Sequence, residues 1–116
     1  MMRLKLGVLV LVVAAMAVIA YPAAAQSIQG NIIGTVRDKN QAVVPDASVV
    51  LTDTDKGVTR NAVTDANGDY HFIDVTAGHY KVDISAPGFQ SWKISGLTLS
   101  VHQDLRVDAV LQVGDV

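Results

Sequence analysis

The 116-residue chain has no cysteine and no glutamate, and aromatic residues make up only 5% of it. Without cysteine there is no disulfide, no thiolate metal site, no cysteine nucleophile and no lipidated N-terminal cysteine. All 11 acids are aspartate, which favours turns and caps, whereas the missing glutamate is a good helix former. Nor is there an excess of positive charge. Nine Lys and Arg stand against those 11 acids, a formal net charge of −2, which excludes a strongly basic nucleic-acid-binding surface. No window has helical periodicity. The signatures Gly-x-Ser-x-Gly and His-Glu-x-x-His are missing, as is a phosphate-binding loop. What is abundant is Val, Ile and Thr, which lean towards β structure, in a length that allows one domain.

The N-terminus reads as an address. Arg3 and Lys5 precede an uncharged run from Leu6 to Ala20, followed by Tyr21-Pro22 and Ala23-Ala24-Ala25. A positive start, an apolar centre and small residues before a cut after Ala25 are the three parts of a secretory signal peptide. The run is shorter than the roughly 20 residues a spanning helix needs, so an uncleaved anchor is the weaker reading. The expected organisation is a signal peptide over 1–25 and one exported domain over 26–116, with no membrane span. Export points to the periplasm or an outer-membrane-associated place, with secretion as the variant. Cleavage removes two of the nine cations, and without cysteine the domain must stand on its core alone.

From residue 32 onward, alternation with period 2 dominates. Ile32, Gly34 and Val36 share one face, and so do Val49 and Leu51, Tyr70 and Phe72, then Tyr80, Val82 and Ile84. Leu97, Leu99 and Val101 form another stripe, and Leu105 to Val113 the last. Val58 to Thr64 reads as a return strand. Turn signals separate these runs: Asp38 to Gln41, with Asn40 suited to a left-handed conformation; Pro45-Asp46; Asp53 to Gly57; Asp65-Ala66-Asn67-Gly68-Asp69; Thr76-Ala77-Gly78; Pro87-Gly88; and His102-Gln103-Asp104. Ser95-Gly96 is expected to break a strand. Short strands with turn signals every 8–12 residues predict an antiparallel sandwich.

Thr64-Asp65-Ala66-Asn67-Gly68-Asp69-Tyr70-His71-Phe72, then Gly78-His79-Tyr80-Lys81-Val82, then Pro87-Gly88-Phe89 resemble the signature of the carboxypeptidase regulatory-like domain. Ile32 to Asp38 and Val43 to Val49 look like the opening of the same family. Where that family often has Gly in its first two turns, this chain has Asn40 and Asp46, and both tolerate the left-handed region. The resemblance implies an all-β, seven-stranded antiparallel sandwich of the transthyretin-like kind. It implies a non-catalytic accessory or interaction module, free-standing or as the truncated N-terminal extension of a TonB-dependent outer-membrane receptor. The partner is expected to be an envelope protein or a carbohydrate. No catalytic residue, metal ligand or cofactor is expected.

Four constellations invite chemistry. His71 and His79, with Asp74 or Asp69, would suit a metal if a hairpin made them neighbours; surface histidines on strands are the commoner explanation. Asp65 to Asp69 invites calcium, but Gly stands at the fourth position, no glutamate closes the loop, and Asp53 and Asp55 lie in another turn. A Lys–Asn cross-link of the adhesin type is excluded, because no Asn follows Asn67. Starch-binding modules of similar fold stack exposed rings on sugars. Tyr70, Phe72, Tyr80 and Phe89 are claimed by packing, which leaves Trp92, flanked by Ser91 and Lys93, as the ligand-stacking candidate.

Overall fold

The computed structural model describes residues 28–114. The signal segment 1–25 and its cleavage site lie outside the described residues. Eight strands follow in chain order: β1 (Gln29–Asp38), β2 (Ser48–Asp53), β3 (Thr59–Val63), β4 (Asp69–Thr76), β5 (Gly78–Ser85), β6 (Trp92–Leu99), β7 (Asp104–Arg106) and β8 (Ala109–Leu111). They form two four-stranded sheets. One is ordered β4-β1-β7, with β8 also on β1; the other is β3-β2-β5-β6. The alternating stripes decide the layering, because each strand turns one set of side chains towards the opposite sheet. Ile32, Val36, Val49, Leu51, Tyr70, Phe72, Val82 and Ile84 are all at most 2% exposed. The Tyr70 and Phe72 rings meet edge to face, 5.9 Å apart and inclined at 64°.

The sandwich is the expected one, with three local differences. The last stripe is split: β7 and β8 both run parallel to β1, and a gap separates them at Val107 and Asp108. The gap has a cause. The buried Tyr70 hydroxyl donates to the Val107 carbonyl, and the Asp108 carboxylate accepts from the Thr35 N–H at 2.8 Å in place of a main-chain acceptor. A Cβ on Gly34 would stand 1.9 Å from that same carbonyl oxygen, so only glycine lets the strands approach. Burial, reinforced by the Asp108 charge and opposed by Arg106, pushes the Tyr70 hydroxyl well above the ordinary phenol range.

The second difference is at Gly96, which does not end a strand. β6 runs through it with a register shift against β5, and Gly96 has φ +71°, the arrangement of a glycine bulge. The third is in the first turn, where Gln41 and not Asn40 is left-handed, at φ 67°. The Asp38 carboxylate explains it by accepting the N–H groups of both Asn40 and Ala42, which fixes the chain on either side of Gln41. Asp46 does adopt the left-handed conformation, at φ 59°. At Pro87-Gly88 a type II turn forms, with Gly88 at φ +82° and the Phe89 N–H on the Ala86 carbonyl at 3.1 Å.

Aspartate does in two further loops what it does at Asp38. Asp53 accepts from the N–H groups of Asp55 and Lys56, and Asp65 from those of Asn67 and Asp69. A one-carbon stem puts the carboxylate within reach of its own following amides, and the longer glutamate stem does not.

Candidate functional site

His71 and His79 do not meet. His71 lies on β4 and His79 on β5, and these belong to different sheets, because the chain crosses from one to the other through Ala77 alone. Asp69 is engaged by the Thr35 hydroxyl at 2.5 Å. His79 instead contacts Asp55 at 2.9 Å, with both side chains more than 60% exposed. Among the described residues no group of three or more His, Cys, Asp or Glu is placed to hold a metal ion. The Asp65 loop is closed by its own amides, as described above, and Asp53 and Asp55 lie in the separate β2–β3 turn.

The geometry instead concentrates at the two open sides of the sandwich. On one side β3 lies over β4, on the other β6 over β8. At the β3/β4 side Arg60 turns inward. Its guanidinium donates to the Ile73 carbonyl at 2.9 Å and sits 5.8 Å from the centre of the Phe72 ring, closing the core with a cation on an aromatic face. Beside it is a cleft of about 240 Å³ floored by Leu51, Val75 and Tyr80 and rimmed by Asp53, Lys56 and Asp74. The Tyr80 hydroxyl donates to the Thr76 carbonyl at 2.5 Å. Burial raises its pKa, the Asp53 charge adds to the rise and Arg60 opposes it.

The strand edges at this side are unequal. Arg60 occupies a carbonyl of β4, and the positive φ of Asp74 (54°) distorts that edge further. β6, the far edge of the other sheet, carries the Gly96 bulge and the exposed Lys93; bulges and lysines are devices that blunt an edge. β3 has neither a bulge nor a lysine; its one charge, Arg60, is turned inward onto the Ile73 carbonyl, and Val58 just before the strand and Val63 at its end are 60% and 63% exposed. Sequence alternation could not single out this strand, since its two faces are mixed.

Trp92 faces inward on β6, opposite Ile84, and packs half-buried against the core. It is not an open platform on a sheet face. It also lines a cleft of about 210 Å³ at the β6/β8 side, together with Gln90, Ser91, Val110 and Gln112. Those glutamines were not apparent as site residues, because the Phe89–Val113 bridge brings them together from distant positions in the chain.

Comparison with known proteins agrees with this architecture. The sequence profile of the carboxypeptidase regulatory-like domain matches residues 31–112. The TonB-dependent transporter Oar of Myxococcus xanthus is 32% identical over 93 residues, covering 78% of this chain and 9% of that protein. Serine-aspartate repeat-containing protein D of Staphylococcus aureus (strain Newman) is 36% identical over 52 residues, 45% of this chain and 4% of its own length. The chain thus spans less than a tenth of either relative. Among solved structures, catechol 1,2 dioxygenase of Acinetobacter radioresistens superimposes with a TM-score of 0.64 at 13% identity, over 78% of this chain and 53% of that one. A Bacteroides uniformis protein provisionally described as carbohydrate-binding gives 0.59 at 16% identity, over 72% and 41%. At such identities these two show the shared fold alone.

Proposed function

The chain belongs to the carboxypeptidase regulatory-like domain family, and from that premise we propose that it is an exported, non-catalytic interaction module that takes up a strand of a protein partner along β3. The observation that carries this reading is the open β3 edge, which has no bulge and no lysine. Main-chain N–H and C=O groups of an open edge are a template for an added strand, and the neighbouring cleft offers a place for one of its side chains. The family is a regulatory-like domain, and catalysis needs a base oriented beside a nucleophile or metal, which the separated His71 and His79 do not supply. The setting we assign is the cell envelope, as the N-terminal domain of a TonB-dependent-receptor-like protein. The likeness to Oar supports it, and so does the signal-peptide pattern of residues 1–25.

The absence of cysteine makes the test direct. Asn61→Cys on β3 and Lys93→Cys on β6 each introduce the only thiol of the chain. After thiol-directed cross-linking in intact envelopes, an adduct of defined mass is expected from Asn61→Cys and none from Lys93→Cys. Equal adducts, or none from β3, would remove the edge from the reading. Intact mass of the exported product tests the address: the expected species begins at Gln26, and one retaining Met1 in the membrane fraction would mean an anchor.

A further inference from the structure

The side of the sandwich away from β3 carries a different chemistry. Its cleft is lined by Gln90, Ser91, Trp92, Val110 and Gln112, one aromatic, two amides, a hydroxyl and a small apolar residue, with no charge. The β3/β4 cleft, by contrast, has Asp53, Lys56, Arg60 and Asp74 in its lining. From this composition and its geometry we propose that the Trp92 cleft is a subsite for one ring of a neutral oligosaccharide.

The segments that carry the polar groups are tied together by their backbones. The Gln90 N–H donates to the Gln112 carbonyl at 2.7 Å, and the Gly114 N–H to the Gly88 carbonyl at 3.0 Å. Phe89 and Val113 form a bridge between these bonds. Gln90 and Gln112 are exposed, and neither amide side chain is bonded to another described residue. The backbones of the two residues are therefore paired, and both line the cleft. The indole N–H of Trp92 makes no bond to another described residue, and no unpartnered side-chain N or O is buried among the described residues, so this donor is open to solvent.

These groups select a class of ligand. A pyranose has an apolar C–H face, which suits an aromatic ring, and hydroxyls that both donate and accept. A glutamine amide presents a donor and an acceptor at one terminus and so answers a hydroxyl in either sense. A phosphate or uronate would need a cation, and the lining has none. A wholly apolar ligand would cover the amides without pairing them, at a desolvation cost. The site lies on the opposite side from β3 and stands or falls independently of the strand-docking reading.

The chain has one tryptophan, so its fluorescence reports on this cleft alone. The full chain is titrated with maltohexaose, cellohexaose and laminarihexaose, and with oligogalacturonate as the charged control. A saturable spectral change is expected for at least one neutral probe, with Kd on the order of 1 mM for so small a contact. Gln90→Ala and Gln112→Ala should each weaken it by about three- to tenfold, the loss of one hydrogen bond, with thermal melts unchanged because both side chains are exposed. Trp92→Ala is the less clean variant, since the ring also packs on the core, and the glutamine pair keeps the test decisive without it. No saturable response to any neutral probe up to about 50 mM, well past that Kd, would overturn the proposal. So would binding that the double glutamine variant leaves intact, or preference for the charged control. Loss of the Asn61→Cys cross-link has no bearing on these outcomes.

Discussion

Tyr70→Phe isolates one oxygen atom at the junction of the first and last strands. The ring stays 1% exposed and keeps its contact with Phe72. What is lost is the donor to the Val107 carbonyl, at the gap between β7 and β8. A buried hydrogen bond contributes about 0.5–1.5 kcal/mol net, and leaving its acceptor unpaired adds a desolvation cost, for a total of about 1–3 kcal/mol. Urea melts at pH 7 measure it. A second signature depends on sign. The hydroxyl's pKa is raised in the folded state, so below the ordinary phenol value of about 10 both folded and unfolded chains hold the proton and stability does not vary with it. Above that value the unfolded chain gives up the proton while the folded one retains it, and stability falls with a slope approaching about 1.4 kcal/mol per pH unit. Tyr70→Phe should remove one such contribution from the alkaline slope and leave the smaller one from Tyr80. A loss below about 0.5 kcal/mol at pH 7, the lower bound for a net hydrogen bond, together with an unchanged alkaline slope, would refute the reasoning.

Tyr80→Ala should destabilise the domain by about 3–5 kcal/mol, as truncations of buried aromatics do, because its ring is 5% exposed and floors the β3/β4 cleft; a loss under about 1 kcal/mol in the same melts would contradict its place in the core. Gly34→Ala should cost about 3 kcal/mol or more, since the new Cβ meets a backbone oxygen at 1.9 Å. Gly88→Ala meets nothing within 4 Å and should cost only the left-handed strain of about 1–2 kcal/mol, so a reversed ranking of the two in denaturant would overturn the close-approach argument.

How far the sequence carries depends on whether the cause is local. The stripes through Tyr70 and Phe72, and through Tyr80, Val82 and Ile84, turn inward as alternation requires. The Pro87-Gly88 turn is likewise set by its own residues. The split of the last stripe has its cause in Tyr70, 37 residues from Val107, and no pattern around Leu105 to Val113 contains that information. Gly96 is ambiguous for a similar reason. Glycine in a strand pattern fits a break or a bulge, and only the partner strand β5, which pairs on both sides of it, decides. The separation of His71 from His79 is a matter of topology: a short polar turn reads the same whether it closes a hairpin or crosses between sheets. Trp92 stands out in the sequence as the aromatic outside the main stripes, but its inward, half-buried place opposite Ile84 and the nearness of Gln90 to Gln112 come only from pairing at a distance.

The junction of β1 with β7 and β8 also sets an order of events. The Asp38, Asp53 and Asp65 loops close within four residues each and can form as soon as their own segment is free. The bond from Thr35 to Asp108 spans 73 residues, and non-local pairings of this kind must meet their chain-closure entropy before they return any contact energy. A chain delivered N-terminus first therefore keeps β1 unpaired on its β7/β8 side until residues 104–111 arrive. Completion of the fold then acts as a check on the length delivered: a product cut short before Val107 retains its turns but cannot lock its first sheet.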